Sequence, residues 1–172
     1  MPKPILLVED DRVYAMMAKH ALKRLLVPNE LVHAANGKEA LEYLHDWGNP
    51  RPCLILLDLY MPMMNGVEFL RVVKNDKALR HIPVVILTAS NADSDVATCF
   101  ELGASEYLIK SVGLYDLLHK FRMLMPYWTG IEVGQQHIEI AGSEMIAEKP
   151  KLETVLACSN RRIGLPSSQP LH

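Results

Sequence analysis

Leu54-Ile55-Leu56-Leu57-Asp58-Leu59-Tyr60-Met61-Pro62 is the stretch whose reading decides the fold. Four apolar residues stop at an aspartate. Met61-Pro62 forces the backbone out of line, and Asn65-Gly66 closes the loop. A short apolar run bounded by turn residues predicts a strand buried on both faces. An aspartate at the carboxyl end of such a strand lies where open α/β sheets put their chemistry. Taken alone, Asp58 would more often be a turn or helix-capping residue. The rest of the chain changes that balance.

Toward the N-terminus, Ile5-Leu6-Leu7-Val8 is a similar run that ends in Glu9-Asp10-Asp11. Tyr14, Met17, Ala18, Ala21, Leu22 and Leu25 then recur at helical spacing, with Lys19, Lys23 and Arg24 on the other face, until Pro28-Asn29 breaks the helix. Leu31 to Ala34 predicts a second strand. Asn36 and Glu39 predict a capping pair for a helix through Ala40, Leu41 and Leu44. Trp47 to Pro52 is a loop.

Toward the C-terminus, Val67, Phe69, Leu70 and Val73 predict a third helix. Ile82 to Leu87 predicts a fourth strand ending at Thr88. Asp93 or Ser94 is the expected cap of a fourth helix carrying Val96, Ala97 and Phe100, stopped by Gly103. Glu106 to Ile109 is a fifth strand ending at Lys110-Ser111. Leu114, Leu117, Leu118, Phe121 and Met125 mark a fifth helix that Pro126 is expected to end. Five strand–helix alternations predict a doubly wound parallel α/β sheet joined by right-handed crossovers. From Thr129 the apolar pattern dissolves into Ser, Gly, Pro, Gln and charged residues. The expected organisation is one domain over 1–128 and a largely disordered tail over 129–172.

The totals agree. A chain of 172 residues suits one sizeable core. A net charge of −2 gives no hint of a nucleic-acid or anionic-membrane partner. Cys53, Cys99 and Cys158 lie far apart without CxxC pairing, as in a reducing compartment. The first residues do not form a signal peptide, and no apolar run approaches membrane-spanning length. The expectation is a soluble cytoplasmic protein.

Parallel strands bring their carboxyl ends to one edge of the sheet. Glu9 and Asp10 from strand one, Asp58 from strand three, Thr88 from strand four and Lys110 from strand five therefore converge. Three carboxylates so close hold one another's protons on or require a cation. Clustered oxygens without His or Cys suit a hard ion such as Mg²⁺. A lysine and a hydroxyl beside it supply what a phosphoryl group needs, charge neutralisation and a donor. Each residue has an ordinary reading by itself: a cap, a strand-end hydroxyl, a solvated lysine. Five at successive strand ends point to phosphoryl transfer with a carboxylate as acceptor.

From about Ile5 to Met125 these residues resemble the receiver domain of two-component response regulators, the CheY-like, flavodoxin-like (βα)5 fold. The marks are Val8-Glu9-Asp10, Leu57-Asp58-Leu59-Tyr60-Met61-Pro62 with Gly66, Val85-Ile86-Leu87-Thr88-Ala89, and Tyr107-Leu108-Ile109-Lys110. The resemblance implies strand order 2-1-3-4-5 and phosphorylation of Asp58 by a phosphohistidine on a sensor histidine kinase. It implies Mg²⁺ held by Glu9, Asp10, Asp58 and the backbone carbonyl of Tyr60. Thr88 and Lys110 would contact the phosphoryl oxygens, and Tyr107 would be the switch aromatic that moves inward with Thr88. A downstream protein partner is implied, and a homodimer through the fourth and fifth elements is left open.

Ser111 stands where the family usually has proline, Glu9 replaces an aspartate, and Tyr60 is bulky. The Lys110–Ser111 bond is expected to be trans, because a cis bond before a residue other than proline costs about 3–4 kcal/mol. Lys-Ser and the long loop before strand three are similar to the small regulators that partner bacterial phytochromes. The alternative is a haloacid-dehalogenase-like phosphotransfer enzyme with Asp58 as nucleophile. Such enzymes place a second acid two residues on, where this chain has Tyr60.

Overall fold

A computed structural model describes residues 2–110 and 112–129. Its strands are β1 (Ile5–Val8), β2 (Leu31–Ala34), β3 (Leu54–Leu57), β4 (Val84–Thr88) and β5 (Glu106–Ile109). Its helices are α1 (Arg12–Arg24), α2 (Gly37–His45), α3 (Gly66–Asn75), α4 (Asp93–Glu101), α5 (Leu114–Met123) and α6 (Met125–Thr129). The strands form one parallel sheet in the order β2-β1-β3-β4-β5, as expected.

The apolar runs of β1, β3 and β4 are continuous because both faces of the sheet are covered. Leu6, Val8, Ile55, Leu57, Val84 and Ile86 face a core with Phe69, Leu70 and Val73 of α3, Ala40 and Leu44 of α2, and Val96 and Cys99 of α4. Their neighbours Ile5, Leu7, Leu54, Leu56, Val85 and Leu87 face the opposite core, with Tyr14, Ala18 and Leu22 of α1 and Leu117 and Phe121 of α5. A shift of one residue in any of these strands would exchange the two sets.

Several local expectations need correction. α1 ends at Arg24, well before Pro28, and Leu26 takes a positive φ of 55°. Its N-cap is Asp11, whose carboxylate accepts from the Val13 and Tyr14 amides. Asn36 caps α2 as expected, but Glu39 accepts from the Ala35 amide rather than that of Asn36. The full reciprocal capping box is Asn65 with Glu68 at α3. Neither Asp93 nor Ser94 caps α4: Ala92 holds that position with no side-chain bond. β4 starts at Val84, because Pro83 has no amide hydrogen to give the ladder.

Pro126 does not end the helical region. α5 stops at Met123, and Pro126 lies near the start of α6, where a missing amide hydrogen costs nothing. That short helix turns Trp128 into the core, edge-on to Phe121 with ring centroids 6.4 Å apart. Ser111 and the tail beyond Thr129 lie outside the described residues. So do the expected trans Lys110–Ser111 bond and all of the expected disordered segment except Thr129 itself.

Gly66 is where the loop after β3 presses hardest on its neighbours. Its amide donates to the Leu59 carbonyl at 2.9 Å, and a Cβ there would lie 2.1 Å from the Asp58 carbonyl oxygen. At Gly37 a Cβ would meet mainly the flexible Met64 side chain, at 2.7 Å. Gly66→Ala should therefore destabilise the domain by about 3 kcal/mol or more, whereas Gly37→Ala should stay within about 1 kcal/mol of wild type. Urea unfolding of both variants checks the contrast, and equal midpoints would contradict it.

Candidate functional site

β1 and β3 are adjacent, with Val8 level with Leu57, so Glu9 and Asp58 emerge side by side at the carboxyl edge. The backbone fixes both. The Asp58 amide donates to the Val8 carbonyl and the Glu9 amide to the Ala34 carbonyl. His33 Nε2 lies 2.7 Å from the Glu9 carbonyl oxygen and anchors it from β2. Glu9, Asp10 and Asp58 bring carboxylate oxygens within 4.8 Å of one another. Glu9 and Asp58 are buried, while Asp10 is exposed.

Lys110 reaches this cluster from the end of β5. Its Nζ lies 2.6 Å from Asp58 Oδ2 and 2.8 Å from both Glu9 carboxylate oxygens. Asp58 Oδ1 accepts from the Leu59 amide at 2.7 Å, so its turn role and its ion pair use different oxygens. Burial pushes the Glu9 carboxyl up, against the opposing pull of Lys110. Burial would lower the Lys110 ammonium, but its hydrogen bonds to Asp58 and Glu9 outweigh that and hold it above its ordinary value.

Thr88 ends β4 and is buried. Asp58 follows Leu57, which pairs with Ile86, so the Thr88 backbone lies one residue further along the neighbouring strand. Tyr107 is also buried, with its hydroxyl donating to the Ser90 carbonyl at 3.1 Å. Burial pushes that phenol up to about 12. Glu9, Asp10, Asp58 and Lys110 thus meet in one cluster, with Thr88 at the end of the neighbouring strand and the Tyr107 hydroxyl held at Ser90.

The sequence reading did not foresee three partners. The Tyr60 hydroxyl donates to Asp95 Oδ2 at 2.7 Å, and Ser90 Oγ donates to the same oxygen at 2.5 Å. These bonds, Ser90's first, hold the Asp95 carboxyl below its usual range, and the Asp95 bond raises the Tyr60 phenol. The third is the Tyr14 ring, assigned from periodicity only to the core, with Lys110 Nζ 4.9 Å from its centroid. Helical spacing finds the buried face of α1 but gives no distance to a residue on β5.

The donor set fits a divalent cation. It is all oxygen, its like charges exceed the one lysine, and Glu9 Oε2 is buried without a well-directed hydrogen bond.

Fold and site together define a signalling domain of the response-regulator type. The chain belongs to the response regulator receiver domain family, whose model matches residues 5–122. It is a two-component response regulator, of a class phosphorylated on aspartate. It is 38% identical over 131 residues to "Response regulator Rcp1" of Synechocystis sp., across 74% of this chain and 89% of that protein. The crystal structure of the Mn(2+)-bound form of Rcp1 superposes with a TM-score of 0.69 at 36% identity, covering 79% of this chain and all of that one. The phosphorylated cyanobacterial phytochrome response regulator RcpA does so at 0.69 and 35%, covering 75% and 95%. These relatives agree with the similarity to phytochrome-associated regulators and do not favour the haloacid-dehalogenase alternative.

Asp10 is the exposed member of a crowded acid cluster. Asp10→Asn should relieve repulsion and raise the thermal midpoint in chelator by a few degrees. The same change should weaken divalent-cation binding at least about tenfold, the loss that outer-sphere partners alone produce. Thermal melts with and without Mg²⁺ read both effects.

Proposed function

We propose that Asp58 accepts a phosphoryl group from a phosphohistidine of a sensor histidine kinase, with Mg²⁺ as the cation. The observation that carries this is the Lys110 ammonium 2.6 Å from Asp58 Oδ2, inside an all-carboxylate cluster. Glu9, Asp10, Asp58 and the Tyr60 carbonyl would hold the ion, which when bound screens the carboxylates from an incoming anion. An Asp58 oxygen attacks phosphorus, the phosphorus–nitrogen bond of the donor breaks, and its electron pair leaves with the imidazole. Lys110 already touches the attacking carboxylate and turns to the phosphoryl oxygens as charge builds there. Thr88 supplies a hydroxyl donor at the end of the neighbouring strand, and Tyr107 is the switch aromatic that reads its position.

The similarity to the phytochrome response regulator RcpA favours a phytochrome-type kinase as donor. A downstream protein then reads the changed surface, and a homodimer is an alternative reader. Among the described residues no helix is long and apolar enough to cross a membrane, which accords with a cytoplasmic site of action. The receiver is assigned to 1–128, with 129–172 a separate tail. Burial of Trp128 supports that boundary, and truncation after it should leave the thermal midpoint and labelling unchanged.

Acetyl phosphate should label the wild-type protein only with Mg²⁺ present. Asp58→Asn should abolish the label. Lys110→Ala should label slowly, with a blunted conformational response. Full labelling of Asp58→Asn would refute the assignment.

Tyr60 is two residues past Asp58, and its amide lies 3.4 Å from Asp58 Oδ1. With its hydroxyl tied to Asp95, the side chain cannot swing freely away from the site and should hinder water attack on the acyl phosphate. Tyr60→Ala should shorten the lifetime of the phosphorylated protein severalfold, with Tyr60→Phe in between, in a chase of labelled protein. An unchanged lifetime for both would show that water reaches the site regardless.

A further inference from the structure

We propose that Tyr14 is a positioning residue for Lys110, its ring face holding the ammonium at the site while the lysine exchanges one set of anionic partners for another. This rests on the assignment of Asp58 as acceptor.

The ammonium has three hydrogens. Two directions are taken by Asp58 Oδ2 and the Glu9 carboxylate. The Tyr14 ring centroid lies 4.9 Å from the same nitrogen. Both groups are largely removed from water: Tyr14 is 7% exposed and the Lys110 side chain 16%. A cation against an aromatic face is attracted by the ring quadrupole, and the attraction grows as water is excluded.

The placement of the ring is built in. The Asp11 carboxylate accepts from the Tyr14 amide at 3.2 Å, which fixes the first turn of α1. The Asp11 amide donates to Glu9 Oε1 at 3.1 Å. Glu9, Asp11, Tyr14 and Lys110 therefore form a closed circuit, in which the residue that caps the helix also orients a carboxylate that binds the lysine. The packing of the Tyr14 ring in the core would be met by an apolar side chain of similar size. The contact with Nζ would not.

The chemistry gives this contact a use. At rest the lysine is shared by two carboxylates. Once an Asp58 oxygen is bonded to phosphorus, that oxygen loses its charge and the phosphoryl oxygens carry it. A lysine held by carboxylates alone must leave one before it finds the next. The ring is neutral and needs no directed hydrogen bond, so it does not compete with the phosphoryl group and stays in contact throughout. Less of the search is left to the transition state.

The test uses the full chain with acetyl phosphate and saturating Mg²⁺. Tyr14→Leu and Tyr14→Phe are made in the wild-type and the Lys110→Ala backgrounds. Tyr14→Leu should slow labelling about tenfold, equivalent to ~1.4 kcal/mol, whereas Tyr14→Phe, which keeps the ring, should stay within about twofold. In the Lys110→Ala background neither change should matter, because the group they act through is gone. Equal losses in both backgrounds, or a loss with Phe equal to that with Leu, would overturn the proposal.

A second measurement does not depend on how the variants fold. In the wild-type protein, ring current should move the Lys110 ε-methylene protons upfield in the NMR spectrum. Ordinary lysine shifts there would also overturn it. Failure of the wild-type protein to label at all would instead strike at the Asp58 assignment, and the methylene shift would still report whether the contact exists.

Discussion

The ion pairs of Lys110 with Asp58 and Glu9 are the interaction on which the rest depends. Two of the three clustered carboxylates are buried, and burying an unpaired charge costs several kcal/mol. One ammonium offsets part of that. It comes from the far end of the domain, 101 residues after Glu9. The pairs thus exist only when β1, β3 and β5 lie in one sheet with their carboxyl ends aligned. The same arrangement leaves the cluster with more negative than positive charge. That imbalance is poor for stability, but it makes the pocket receptive to a cation and then to a phosphoryl group.

The fold was largely legible because its signals are local. Runs such as Leu54–Leu57 and Val84–Leu87 cannot be satisfied on an open sheet, and the intervening 3.6-residue patterns name the covering helices. The site was legible for a different reason. Parallel topology converts strand ends into neighbours, so Glu9, Asp58, Thr88 and Lys110 are brought together by sheet order alone. What sequence could not supply was any contact set by side-chain reach. Asp95 is an ordinary first-turn acid of α4 until Tyr60 is found on it. Tyr14 is a core residue until the lysine is found over it. Pro126 was misread because a proline that ends one helix can also open the next, and only the burial of Trp128 separates the two.

The bonds from Tyr60 and Ser90 to Asp95 are of another kind from the ion pairs beneath. Hydroxyls donate to one exposed-side carboxylate, and Tyr107 donates to the Ser90 carbonyl. The chain runs from the loop after β3 to the first turn of α4 and the face of β5. Hydrogen bonds at so exposed a carboxylate are individually weak, because water competes for both partners. A population shift between two arrangements needs a differential of a few kcal/mol. These bonds are therefore of the right size to be remade on the proposed phosphorylation of Asp58, whereas the packed sheet beneath them is not.

Glu9 completes the geometry. In the order β2-β1-β3-β4-β5, three strand spacings separate β1 from β5, or about 14 Å of sheet. Lys110 must cross the end of β4 to reach Asp58 and still touch a group on β1. An aspartate at position 9 would have one methylene less with which to meet it. The longer glutamate closes that gap and brings both its oxygens to 2.8 Å from the ammonium. One side chain can then serve the lysine at rest and, in the proposed role of Glu9, offer an oxygen to the cation. On this argument the exchange of aspartate for glutamate is a change of reach, with the charge at the site kept the same.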